Sequence, residues 1–358
     1  MGSMWKEDWD RTRQRIEACW RGEGLVLYVT APKDTPWEDL AEPRPPADTE
    51  TRWVDPEYRA RKAEYELSRM YFGGEAFPHY DTQIGPGSLA VYLGSEPQFA
   101  ESTVWFNPCI HDPENHPELT FDPEQPGFRQ HLSLIKRGVE ISNGRFLVGM
   151  PDLIENIDVL ASLRGSEQLL EDLIDRPDFV MERLEQINRA YFDAFDAIRE
   201  VILDDAGWQL FSPFGVLGPG RAAKVQCDAA AMISPAMFRR FVVPAMRRQC
   251  AWLDFSMFHL DGEDSLCHLD ALLEMPELTA IEWTPVFCWA GEDGGHPKWY
   301  DLYRRILGAG KAVQAISVRP DRVIPLLDAV GAAGMYITTA ASSESEARQL
   351  AEKVETYR

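Results

Sequence analysis

The feature that most constrains this chain is the alternation that begins near residue 130. From there, helical stripes and short apolar runs follow one another with little hairpin chemistry between them. Helical patterns cover 131–142, 166–175, a long stretch from Asp178 to Ile202, 234–246, 267–274, 299–307, 321–329 and 343–354. Strand-length apolar runs occupy 146–150, 225–228, 255–260, 278–283, 312–318 and 335–339. Helices covering parallel strands are the physical solution for such a pattern. With the run at 25–29, we count about eight strand candidates, which favours a closed (β/α)8 TIM barrel over an open sheet. Two punctuation marks stand out. Ser343 and Glu346 have capping-box spacing at the last helix, and Pro244 should kink or restart the helix that Ser234-Pro235 begins.

The first third is less regular. A helix is expected over 5–20, a Pro-rich excursion over 31–51, and a helix over 55–72 with Pro56 at its first turn and Gly73-Gly74 after its end. Residues 73–112 hold glycines and aromatics in no clear period, and loops of that length are usually functional. We expect one α/β barrel domain spanning 1–358, with 1–129 a divergent N-terminal part whose loops cover the mouth. The net charge of −22 argues against nucleic acid and anionic membranes, which reward Lys and Arg. No apolar run reaches the length of a membrane span. Cysteines 19, 109, 227, 250, 267 and 288 show no CxxC spacing and read as reduced thiols, so a cytoplasmic location is expected.

Chemistry concentrates at strand exits. Met257-Phe258-His259-Leu260-Asp261-Gly262 ends the central strand, and period-2 alternation points His259 and Asp261 to one face. Such a pair is a general base with its orienter, half of a metal site, or a hydrogen bond that closes a turn. Neighbouring exits add Asp152, Cys227, Asp228, Glu282 and Trp283. His259, Asp261, Cys227 and Glu282 offer mixed N, O and S donors, which suit Zn²⁺ with an open position better than Mg²⁺. The plainer roles are a buried thiol for Cys227, a turn cap for Asp228, and an ion pair with Arg221 or Arg319 for Glu282. Trp105, Phe214 and Trp283, with Asp152, are expected to line a substrate pocket. Cys288 and His296 share a loop that could close over the mouth. The other histidines, among them His79, His131 and His268, read as surface or capping residues. No phosphate loop, nucleophile elbow or dinucleotide fingerprint is present.

The string Lys224-Val-Gln-Cys-Asp-Ala-Ala-Ala-Met-Ile-Ser-Pro-Ala-Met-Phe238, then Phe258-His-Leu-Asp-Gly262, then Ala280-Ile-Glu-Trp-Thr-Pro285 resembles the uroporphyrinogen decarboxylase superfamily, over roughly residue 145 to the end. The resemblance implies a (β/α)8 barrel with its site at the C-terminal mouth, and a homodimer. It does not extend to the Arg-rich N-terminal motif of the true decarboxylases, where this chain reads Thr30-Ala31-Pro32-Lys33-Asp34, nor to their late Gly-His-Gly motif. It points instead to the branch of corrinoid- and coenzyme M-linked methyltransferases. Their zinc set is His-x-Cys plus a distant Cys. Here His259 matches the His, Asp261 stands at the Cys, and no Cys follows Cys288. The resemblance thus implies a methyltransferase-like enzyme, with a corrinoid protein as methyl acceptor. The alternatives are a metal-independent decarboxylase or lyase using Asp228 and His259, and a non-catalytic binding barrel.

Overall fold

The computed structural model describes residues 3–204, 206–286 and 290–358. Thirteen strands are numbered here in chain order: β1 (Leu25–Pro32), β2 (Met70–Gly74), β3 (His79–Tyr80), β4 (Glu96–Phe99), β5 (Val104–Asn107), β6 (Leu147–Val148), β7 (Trp208–Phe211), β8 (Val216–Pro219), β9 (Ala222–Gln226), β10 (Phe255–Asp261), β11 (Ala280–Thr284), β12 (Ala312–Ala315) and β13 (Met335–Ala340). Seven of them form the central sheet in the order β2-β1-β13-β12-β11-β10-β9. Every pair in it is parallel except β1–β2. β3 and β6 make a separate parallel pair, and a parallel bridge from Met150 to Phe211 carries that pairing to β7.

The molecule is therefore α/β with a mainly parallel sheet, as the alternation predicts, but backbone hydrogen bonds do not close the sheet. The stretch 208–219, expected to be a plain connection, is a β7–β8 hairpin. Between β7 and β9 a side chain stands in for a ladder. The Gln209 amide donates to the Ala222 carbonyl at 2.9 Å, and its oxygen accepts the Ala222 N–H at 3.2 Å. The hairpin tip turns onto the sheet. The Phe214 carbonyl accepts from Gln314 of β12 at 2.7 Å, and the Gly215 carbonyl accepts from Tyr336 of β13 at 3.0 Å. Gly215 has φ +61, and a Cβ there would crowd the Tyr336 hydroxyl at 3.1 Å, so a glycine suits this contact.

Helix boundaries follow local chemistry. Asp55 accepts the Tyr58 N–H at 2.7 Å and caps the helix Pro56–Ser68, which ends before β2. The sequence reading carries that helix on to Phe72, over the first residues of β2, and the Gly73-Gly74 expected after its end lies against β1: Gly74 adopts φ +56, with the Leu27 carbonyl where a Cβ would be. Ahead of Pro244, residues Phe238–Val242 widen into a π-helical turn. Proline lacks the N–H for the preceding turn and its ring clashes with that turn's carbonyl, so the helix relaxes there rather than breaking. The Pro177–Ile202 helix buries Val180, Leu184, Ile187, Tyr191, Phe195 and Ile198, one stripe at helical spacing. Ser343 caps the Glu344–Val354 helix through the Glu346 N–H at 3.2 Å, while the Glu346 carboxylate turns back to the Ser342 N–H at 2.7 Å.

The hydrophobic cluster runs without interruption from Trp5 to Val354 and so takes in both the N-terminal third and the alternating part. In the 73–112 region, the helix Ser88–Tyr92 docks by backbone hydrogen bonds from Gly87 and Ser88 to the Asp152 carbonyl and from Leu89 to the Leu153 carbonyl. No helix among the described residues is long and apolar enough to cross a membrane.

Candidate active site

Strand register builds the site. Gln226 of β9 pairs with His259 of β10, His259 with Glu282 of β11, Glu282 with Gln314 of β12, and Gln314 with Tyr336 of β13. Directly paired residues of a parallel sheet share a face, so these polar side chains form one row across five strands. Each comes from a strand whose other face is apolar, as Ile281 and Trp283 flank Glu282.

The row is joined by hydrogen bonds. His259 Nδ1 bonds Glu282 Oε2, and the Thr284 hydroxyl donates to Glu282 Oε1 at 2.7 Å. Glu282 is fully buried, and burial raises its carboxyl pKa despite the imidazole and hydroxyl beside it. For His259, burial works against the charged form, but the hydrogen bond to Glu282 and that carboxylate's charge outweigh it, and its pKa is raised. Nε2 of His259 makes no hydrogen bond among the described residues. The Phe214 ring, at the hairpin tip, covers the imidazole with centroids 4.8 Å apart. Beside it lies a 260 Å³ cavity lined by Tyr28, His79, Phe214, Gln314, Ile316 and Thr338, among others. The Gln314 amide oxygen is buried without a partner.

A second polar group adjoins the row at β9. Lys224, fully buried, donates to both Asp152 oxygens at 2.9 and 3.1 Å and also to Gln226. Glu155 accepts the Gln226 N–H, and Asp158 accepts the Asp228 N–H at 2.8 Å and the Ala229 N–H at 3.3 Å. Burial drives the Glu155 carboxyl well up, and burial with the nearby Asp228 charge raises Asp158 from 3.8 to about 7. Asp228 opens to solvent, yet desolvation by the surrounding protein still raises its carboxyl, against the pull of Lys224 and His259. The segment that presents Asp152, Glu155 and Asp158 is strained: Ile154 and Asn156 adopt φ 53 and φ 52. A β-branched residue there is an outlier that the surroundings must hold in place.

Measured against the sequence expectations, His259, Glu282, Asp228, Asp152 and Phe214 come together. Asp261 lies at the solvent-exposed end of β10, opposite Thr284 rather than bonded to His259. Cys227 sits in the hydrophobic cluster, on the face of β9 opposite to Gln226, with burial holding its thiol protonated. Trp283 likewise faces the core, fully buried and packed on Trp299 at 4.8 Å. Trp105 is 64% exposed on the β4–β5 hairpin. Glu282 meets His259 instead of an arginine, since Arg221 pairs with Asp196 and Arg319 with Asp321. Cys288 lies outside the described residues. Among those that are described, no group of three or more His, Cys, Asp or Glu is placed to hold a metal ion. The four donors expected for zinc therefore do not fit as a set: Cys227 faces away, and Glu282 is committed to His259 and Thr284.

Sequence reasoning missed Lys224, Glu155 and Asp158. A lysine inside the apolar stretch Ala222-Ala223-Lys224-Val225 is the signal that could have found them. It also misplaced three histidines. His131 is buried between the Tyr92 hydroxyl and the Thr82 carbonyl, His268 stacks on Phe238, and His79 lines the cavity beside Tyr28.

No protein-family model matches this chain, and no curated protein matches it. Among solved structures, a methyltransferase from Methanosarcina mazei is similar, with a TM-score of 0.61 and 13% identity over 97% of this chain and 99% of that one. What the two share is the fold. The likeness spans nearly the whole of both chains.

Proposed function

We propose that this chain is a methyltransferase-like enzyme acting on a small molecule in the 260 Å³ cavity beside Phe214. The observation that carries the reading is the His259–Glu282–Thr284 chain at the C-terminal ends of parallel strands, with Nε2 left without a partner among the described residues. In parallel α/β sheets, ligands bind at those ends. We also propose, on the same reading, that the interrupted sheet is a TIM barrel whose wall is completed at Gln209 by a side chain. Glu282 fixes the imidazole tautomer and orientation, as carboxylate partners of histidine do. The raised pKa keeps His259 able to give a proton to the heteroatom that a methyl group leaves, or to take one from an acceptor. A corrinoid protein as methyl acceptor is part of the proposal on the sequence resemblance alone. No step here runs through it or through a metal.

The test incubates the protein with cob(I)alamin and methyl ethers, methylamines or methyl thioethers, and follows the cobalamin absorbance. Methyl transfer from one of these classes, lost at least about tenfold in His259→Gln at unchanged melting temperature, supports the reading. Absence of transfer from every class overturns it. A second reading rests on Asp228, whose raised carboxyl adjoins Lys224 and His259: a decarboxylase, recognised by CO₂ release that depends on Asp228.

A further inference from the structure

A second cavity, of 550 Å³, opens at the exit of β3 between the helix Pro56–Ser68 and the 45–53 segment. Arg52, Trp53, Tyr58, Arg59, Tyr80 and Asp81 are among its lining residues. Its arginines differ from their neighbours. On the same helix Arg61 pairs with Glu57 and Glu64, and nearby Arg137 and Arg145 pair with Glu57, Glu140, Glu38 and Glu64. Arg52 and Arg59 have no carboxylate partner among the described residues. They are held by neutral acceptors. Arg52 donates to the Pro46 and Ala47 carbonyls at 3.0 and 3.2 Å, and Arg59 to the Trp53 and Gln83 carbonyls at 2.9 and 3.0 Å. Backbone carbonyls fix a guanidinium without cancelling its charge, and each fork keeps N–H groups to spare. In a chain of net charge −22, two oriented guanidinium groups without a direct ion pair in one cavity are an unusual arrangement.

An independent observation points the same way. Tyr80 is only 4% exposed and lines this cavity, yet its hydroxyl has no hydrogen-bond partner. A buried hydroxyl without a partner keeps its desolvation cost unless something supplies one. The Arg59 guanidinium is the group nearest to filling that place: its charge and a contact looser than a hydrogen bond oppose the rise that burial gives the phenol. Three acidic residues also line the cavity: Glu66 pairs with Lys62 at 3.7 Å, Glu101 is exposed, and the buried Asp81, pushed up to about 6, lies near enough to Arg59 for the two charges to act on each other without a direct ion pair. Trp53, Tyr58, Leu67 and Met70 supply apolar walls.

We propose that Arg52, Arg59 and Tyr80 form an oxyanion-binding site for a small organic carboxylate with an apolar body. Because His79 lines both this cavity and the one beside Phe214, a ligand held here would lie next to the candidate active site. The proposal does not depend on methyl transfer. The probes are benzoate, its uncharged counterpart benzamide, and inorganic phosphate, titrated calorimetrically into the full chain. Saturable benzoate binding at millimolar or lower concentration, absent with benzamide, is expected. Tyr80→Phe, which keeps the ring, should weaken it several-fold. Arg52→Gln and Arg59→Gln should each weaken it about tenfold or more, the worth of a charged hydrogen bond. Phosphate binding with loss in the same variants would assign the site to phosphate-bearing ligands and overturn the carboxylate assignment. No binding of any probe, equal binding of benzoate and benzamide, or benzoate binding unchanged in all three folded variants would overturn the site itself.

Discussion

At the scale of single residues, His259 and Glu282 were visible in the sequence because one rule places them. Residues at a strand exit alternate in direction, and directly paired residues of neighbouring strands share a face. The same rule, applied strictly, excludes Cys227 and Trp283, which have the wrong parity relative to Gln226 and Glu282. The partnership itself was not legible, since a pairing register is not written in either strand alone. Replacing Glu282 with Gln should lower the His259 pKa, because the hydrogen bond and the charge that raise it both weaken while burial persists. Imidazole NMR titration reads this directly, and an unchanged midpoint would contradict it. A second expectation concerns metal. With Cys227 in the core and Glu282 engaged, added zinc or cobalt should not raise the melting temperature. A rise of several degrees that His259→Ala abolishes would show that the donors rearrange into a site.

At the scale of elements, the strained segment from Asp152 to Asp158 organises the acidic side of the site. It could not be read from sequence because its partners, Lys224 to Ala229, are some seventy residues away. Asp158 offers a pH test. Its folded pKa, about 7, lies above its ordinary 3.8, so between those values the native state holds more protons than the unfolded chain. Stability from this group is then fully present below about 4 and is lost as pH rises towards 7. Asp158→Asn keeps an acceptor for the Asp228 and Ala229 N–H groups and removes the titration. Denaturant melts across that window should be flatter in the variant than in the parent, and parallel curves would refute the assignment. Along the chain, the alternation read from apolar runs located β10 to β13 well, but placed the strand at 225–228 where β9 spans Ala222–Gln226. It missed β2 and the β7–β8 hairpin because both lie in Gly-rich stretches whose pairing is set by close backbone approach rather than by side-chain period.

At the scale of the whole molecule, Glu75 ties distant parts together. It is buried at 1% exposure, accepts the Leu27 N–H of β1 at 2.8 Å, and pairs with Arg15 of the first helix at 3.0 Å and Arg358 at 2.6 Å. Its removal leaves Arg15 and Arg358 with Glu355 alone and the Leu27 N–H without its acceptor, so Glu75→Ala should cost about 1–3 kcal/mol. Urea denaturation measures it, and a loss under about 1 kcal/mol would mean the network is worth little more than a surface pair.

The inward-turned β7–β8 hairpin bears on how such a fold changes. In a wall made only of strands, the space for a ligand is set by side chains that also hold the sheet together, and each enlargement risks the core. Here Phe214 and Gly215 reach the cavity on a finger of chain anchored by Gln209. Shortening or lengthening that finger would resize the chamber while leaving every parallel ladder untouched, so substrate size becomes a property that drifts by insertion and deletion at one turn.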